Sequence, residues 1–167
     1  MSSETYLQPS SLPEALKILN ESGSEARLLA GGTDFVIALR KGLINPELIM
    51  DITRLDELRG ISLTGGFVQI GALTTHGEIR NSRELAQWAP VLVEACWDVG
   101  SVQIRNLGTL GGNLGNASPA GDSLPVLCVL GAEVHLLSRT GERWIPVEDF
   151  FAGPGKTVRR TDEIIAG

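Results

Sequence analysis

A chain of 167 residues suffices for one ordinary domain, or two small lobes, with an apolar core. Hydrophobic residues make up 43% and charged residues 20%, at a mean hydropathy of +0.10, which suits a globular protein and excludes a disordered one. The net charge of −6 excludes most nucleic-acid and anionic-membrane roles, since the basic residues are scattered in nothing longer than pairs such as Arg159-Arg160.

No apolar run approaches membrane-spanning length. The opening "MSSETYLQPS" lacks the charged and apolar regions of a signal peptide. Cys96 and Cys128 stand far apart with no C-x-x-C, so no disulfide framework, zinc site or iron–sulfur site is encoded, and a reducing cytoplasm is the expected compartment.

In chain order, Ser11 is placed to cap a helix carrying Leu12, Ala15, Leu16 and Leu19 at helical spacing. Leu28-Leu29-Ala30 reads as a short buried strand. Asp34 opens a second helix through Phe35, Ile37, Ala38 and Leu39, and Leu48 to Ile52 reads as another strand. Helix, strand, helix, strand favours a small parallel sheet.

The character changes between Arg54 and Gly60. "GISLTGGFVQIGA" reads as a hairpin turning at Gly65-Gly66, and a boundary between lobes is expected near residue 58. A helix follows with Val91, Leu92, Ala95, Cys96 and Val99 on one face. Gly100 to Asp122 reads as loop and Leu124 to Val129 as a short helix. Ala132 to Leu137 and Arg143 to Ile145 form a second antiparallel pair across "SRTGE". Glu163 to Ile165 reads as a new strand on which the chain stops, which suggests a fragment or a shortened form of something longer.

Two glycine clusters carry the functional signal. "ARLLAGGTDF", Ala26 to Phe35, puts two glycines and Thr33 at a strand-to-helix joint, as though something approaches the backbone closely. "NLGTLGGNLGNASPAGDS", Asn106 to Ser123, holds five glycines and only one carboxylate, Asp122. Consecutive N–H groups in glycine-rich turns can form a nest for phosphate oxygens, with the Thr109 hydroxyl as a further donor. Asp122 suits ribose hydroxyls or an adenine amine instead. One cluster in each lobe could clamp the two phosphates of a single dinucleotide. Neither is a G-x-G-x-x-G fingerprint, and surface turns are the plainer alternative.

Other motifs are weak. "GPGKT", Gly153 to Thr157, ends like a phosphate loop, but Phe150 stands where the Walker pattern needs glycine. His76 and His135 are isolated and read as structural or solvent-facing. No nucleophile elbow or metal-binding H-E-x-x-H occurs, so any redox chemistry would be carried by a bound cofactor.

"LLAGGTD", "QIGALTT", "IRNLGTLGGNLGNASPAGDSLPVL" and "FFAGPGKTVRRTDEII", in that order, resemble the FAD-binding subunit of molybdenum hydroxylases. That family includes xanthine dehydrogenases, carbon monoxide dehydrogenase and hydroxybenzoyl-CoA reductase, and the last segment looks closest to bacterial xanthine dehydrogenase subunits. The resemblance implies an α+β, two-lobed FAD-binding fold of the vanillyl-alcohol-oxidase/molybdopterin-dehydrogenase type. An α/β lobe would span 1–58 and an antiparallel-sheet lobe with helices 59–167, without the relatives' C-terminal domain.

It further implies that Arg27, Leu28, Leu29, Ala30, Gly31, Gly32, Thr33 and Asp34 border the FAD, with Gly31, Gly32 and Thr33 nearest the phosphates. Thr109, Gly111, Gly112 and Asn113 would form the opposite wall. Asp122 would hydrogen-bond the cofactor, and the backbone of Ile165 would lie beside the flavin. Val99 stands where some relatives place a phenylalanine against the isoalloxazine, a departure that changes the flavin's stacking partner. No residue is implied to be catalytic or to bind metal. Molybdopterin and [2Fe–2S] clusters would sit on partner subunits, large and small, with NAD+ or another compound as electron acceptor. The other functional class open to the chain is a non-catalytic FAD-binding or assembly module.

Overall fold

The computed structural model describes residues 5–167, and it begins with a strand that no periodicity in the sequence marks. β1 (Thr5–Leu7) has three residues, all exposed, too few for an alternating pattern to register. It pairs in parallel with β3 (Leu48–Asp51), Tyr6 opposite Ile49, while β2 (Ala26–Leu29) pairs in parallel with the other side of β3, giving the order β1-β3-β2. The central place of β3 explains why all four of its residues are buried. β2 stops one residue short of the expected Ala30.

Helices make the connections that parallel strands require. α1 (Leu12–Ser22) starts on Ser11, whose side chain accepts the Glu14 N–H, and buries Ala15 and Leu19. α2 (Phe35–Arg40) follows Asp34, although the Asp34 carboxylate makes no capping bond. Short 3-10 turns cover Gly23–Glu25 and Asp56–Leu58.

β4 (Ile61–Thr64) and β5 (Phe67–Ile70) form the expected hairpin. Gly65 and Gly66 both take positive φ, +60° and +84°, as a two-residue hairpin turn of this hand demands. α3 (His76–Asn81) and α4 (Arg83–Trp88) come next, then α5 (Pro90–Asp98). α3 opens with a full capping box between Thr75 and Glu78, a T-x-x-E signal legible in the sequence. α5 packs on α3 and on the later helix Ser123–Val129 through Leu92 and Cys96, one turn apart, which leaves Val91 outside the stripe and 41% exposed.

The segment expected to be loop is corrected by two helices, α6 (Val102–Leu107) and α7 (Leu110–Asn116). Ser101 and Thr109 cap them. Glycine costs a helix about 1 kcal/mol relative to alanine, and here close packing offsets it. A Cβ on Gly111 would lie 2.5 Å from the Cβ of Ala72, so only glycine lets α7 sit where it does.

α8 (Ser123–Val129) leads into β6 (Glu133–Ser138), paired antiparallel with β7 (Gly141–Pro146). The one-turn α9 (Val147–Phe150) precedes the hairpin of β8 (Phe151–Gly153) and β9 (Lys156–Thr157), so "GPGKT" is a hairpin turn. β10 (Ile164–Ile165) adds to the free side of β6. One apolar cluster joins α1, the parallel sheet and Leu55, and takes in Leu73 and Ile164 from the later chain. The other gathers α3, α4, α5, α7, α8, α9 and β6 around Leu92, Leu114, Leu136 and Phe150. The fold is mixed α+β, with a cleft between the two parts.

Candidate functional site

The joint between β2 and α2 forms one wall of a cleft of about 680 Å³, within the ~300–1,000 Å³ range of small-molecule sites. Its two glycines are required for different reasons. Gly32 has φ +72°, where an L side chain is strained. A Cβ on Gly31 would lie 1.8 Å from the Leu107 carbonyl oxygen, so the close approach there is made by the end of α6. The carbonyls of Gly32 and Asp34 accept from Val36 and Ala38. Among the described residues, the N–H groups of Gly31, Gly32, Thr33 and Asp34 have no acceptor. Adjacent unpaired donors lining a cleft are free to donate to a ligand's oxygens in place of water.

The opposite wall is α7, and it works differently from the expected nest. Leu110 N–H donates to Thr74 O at 3.0 Å, Gly111 N–H to Ala72 O at 2.8 Å and Asn113 N–H to Thr109 O at 3.0 Å. Gly112 N–H donates to Thr109 Oγ1 at 3.0 Å. These amides are therefore already used inside the fold. The wall instead offers the Thr109 hydroxyl proton, the Asn113 amide anchored by Ser123 Oγ at 2.8 Å, and the bare faces of Gly112 and Gly115.

Charge is concentrated here against the trend of the chain. Arg27, Lys41 and Arg159 line the cleft with one carboxylate, Asp34. Arg159 donates to the carbonyls of Glu163 at 2.6 Å and Arg160 at 3.1 Å. Burial lowers its proton affinity; the Glu163 carboxylate opposes this and Arg27 adds to it. Behind it, Arg143 grips Glu163 through two hydrogen bonds of 2.6 and 2.8 Å. Burial alone would raise the Glu163 carboxyl, but Arg143 and the Arg160 N–H outweigh it and hold the group below its ordinary value.

Arg27, Leu28, Ala30, Gly31, Gly32, Thr33, Asp34, Val99, Thr109, Gly111, Gly112, Asn113 and Ile165 all line the cleft. Two expected residues do not. Leu29 alternates to the other side of β2, its Cδ1 packing 3.3 Å from where a Gly32 Cβ would stand. Asp122 is exposed at the start of α8, outside the cleft wall, though its field reaches His76 and Cys96. Lys41, His76, Gly115 and Arg159 line the cleft without having been singled out for it. Only Gly115 carried a signal, as part of a glycine cluster.

Among the described residues no group of His, Cys, Asp and Glu could hold a metal ion, and no helix is long and apolar enough to cross a membrane. The fold is α+β, and its cleft combines unpaired backbone donors, cations and glycine-bared walls, a lining chemically suited to an anionic ligand. The chain belongs to the family described as the FAD binding domain in molybdopterin dehydrogenase, whose model matches residues 2–167.

The glyceraldehyde dehydrogenase medium chain of Sulfolobus acidocaldarius is 37% identical over 161 residues, covering 96% of this chain and 57% of the relative. The carbon monoxide dehydrogenase medium chain of Hydrogenophaga pseudoflava is 34% identical, with 96% and 56% covered. Reconstituted CO dehydrogenase from Oligotropha carboxidovorans superposes with a TM-score of 0.95 at 32% identity, over 98% of this chain and 57% of that one. The chain thus spans a little over half the length of these relatives.

Proposed function

We propose that this chain binds FAD in the cleft between its 1–58 and 59–167 lobes and serves as the flavin-bearing part of a molybdenum-hydroxylase-type oxidoreductase. The observation that carries the reading is the run of unpaired N–H groups from Gly31 to Asp34, facing a wall bared of side chains at Gly112 and Gly115. The amides and Thr33 would hold the diphosphate, with Thr109 and Asn113 across from them. Arg27 and Arg159 supply positive charge, and Val99 and Ile165 supply apolar surface for the flavin. FAD, when bound, supplies a carrier that exchanges electrons singly or in pairs. The chain's own tasks are to hold and orient it, exclude water from one face and set the electrostatics around it.

The partners in this reading are a molybdopterin-binding large subunit and a [2Fe–2S] small subunit, with NAD+ or another compound as acceptor. A xanthine dehydrogenase-like complex is the finer form of the proposal. It is supported by the last of the four sequence segments, Phe150 to Ile165, and by 35% identity to the putative xanthine dehydrogenase FAD-binding subunit of Escherichia coli. Copurification with subunits carrying molybdenum and iron–sulfur, and xanthine-dependent NAD+ reduction by that complex, would test the finer form.

FAD titration of the purified chain, followed by flavin fluorescence, tests the site. A Cβ at Gly115 would make only an ordinary 3.5 Å contact with Ile165, so Gly115→Trp should fold while its indole fills the cleft. Saturable binding by the wild type, lost in Gly115→Trp at unchanged circular dichroism, is the expected result. No binding, or binding that the variant keeps, would overturn the reading.

A further inference from the structure

His76 has been given no part in the FAD reading on which this inference rests, yet it is held against the same cleft. It is the first residue of α3 and only 2% exposed, and it lines the cavity. Its backbone N–H donates to the Gly108 carbonyl at 3.0 Å, fixing the ring beside the turn between α6 and α7. Ring Nδ1 lies 3.5 Å from Cys96 Sγ, deep in the larger core. The opposite edge of the ring lies beside Gly108, which also lines the cleft. Cδ2 is 3.3 Å from the point where a Gly108 Cβ would stand, and Thr33 Oγ1 is 3.6 Å from that same point. Nε2, the nitrogen next to Cδ2, has no protein partner among the described residues.

Two groups decide which nitrogen carries the proton. Cys96 is fully buried, and burial, with the Asp122 field added, pushes its thiol up to about 12. The thiol therefore keeps its proton at neutral pH and has it available to donate toward Nδ1, 3.5 Å away. Burial also lowers the proton affinity of His76 against the pull of Asp122, so the ring is neutral. A neutral imidazole that accepts at Nδ1 must donate at Nε2.

We propose that His76 binds the cofactor directly, its Nε2–H donating to an oxygen of the dinucleotide held beside Thr33, and that Cys96 is the positioning residue that fixes this tautomer through its S–H.

Nitrogen-15 NMR of the full chain labelled at histidine reads the tautomer, with His135→Gln identifying the His76 signals. The expected result is an Nε2–H tautomer in the free protein and a shift of that resonance on adding FAD. ADP and FMN are the parallel probes: a shift with ADP assigns the acceptor to the phosphates it shares with FAD, and a shift with FMN but not ADP assigns it to the flavin half. Cys96→Ala should give a mixture of tautomers, and Cys96→Ser, whose hydroxyl can also donate, should restore the Nε2–H form. His76→Phe should weaken FAD binding about tenfold, the worth of one neutral hydrogen bond.

An Nδ1–H tautomer in the wild type would overturn the proposal. So would a His76 resonance that FAD leaves in place while FAD still binds, or wild-type affinity in a folded His76→Phe. Failure of the wild-type chain to bind FAD at all would remove the reading of the site along with it, and is distinguished because it shows in the wild-type titration.

Discussion

Gly31 and Gly42 separate two meanings of glycine. At Gly31 a side chain would collide with the backbone of Leu107, which cannot give way without moving α6. Gly42 has φ +66° but open space around it. Gly31→Ala should cost about 3 kcal/mol, as overpacking against a fixed neighbour does, and Gly42→Ala about 1 kcal/mol from the backbone alone. Urea unfolding of both variants checks the order, and equal costs would contradict the packing of the joint on α6. Arg159 makes a ligand-side prediction. It shares the cleft with Arg27, and an anion between them relieves their repulsion. Arg159→Gln should weaken FAD binding about fivefold at low salt and flatten its salt dependence, as loss of one charge contact does. Titrations at two ionic strengths measure this.

The short helices owe their positions to ties made from outside them. The Arg105 guanidinium, carried by α6, donates through one nitrogen to the carbonyls of Trp97, Val99 and Gly100, each at 3.0 Å. It closes the end of α5, where free carbonyls need donors, and holds Val99 at the cleft. Arg105→Ala leaves those carbonyls without their donor, at a cost of about 3 kcal/mol given bonds to a charged group. Thermal melting should show the loss, and FAD affinity should fall too because Val99 is released. A melt within a degree of wild type would refute this role. Nearby, the Arg80 guanidinium stacks 3.1 Å from the Trp97 ring centre, tying α3 to the same corner.

Acid stability is a property of the whole molecule, and three buried groups set its direction. Burial would raise the Asp51 carboxyl, but hydrogen bonds from Thr53, Tyr6 and Gln8 hold it below the ordinary 3.8. Glu163 is likewise held below 4.5. Each contributes stability that is complete above those values and lost as pH falls toward the folded-state value. His76, buried and neutral, lies below the ordinary 6.5. Once pH drops under 6.5 the unfolded chain takes up a proton that the folded chain refuses, so stability falls until the folded-state value is reached. All three have the same sign, since the unfolded state binds more protons. Urea midpoints should decline in two stages, first below pH 6.5 and again below about 4.5. His76→Gln should remove the first stage and Glu163→Gln should reduce the second. A wild-type midpoint flat from pH 7 to 5 would contradict the burial of His76.

Much of this protein is local and was therefore legible in its sequence. Ser11 and the spacing of Ala15 and Leu19 determined α1, Gly65-Gly66 determined the hairpin, and the alternation after Ala132 determined β6. The two glycine clusters marked both walls of the cleft, because a bare backbone leaves its trace in composition. What the tertiary structure alone decided is which groups those walls present. Three exposed residues of β1 become a strand only because β3 has a free side. The glycine-rich run from Gly108 becomes helix only because Ala72 and Thr74 accept its first N–H groups. Leu29 and Asp122 leave the wall, while His76 and Arg159 join it from positions far along the chain from the first glycine loop. No spacing rule relates such residues. The cleft brings them together because two cores, built from distant segments, close on each other.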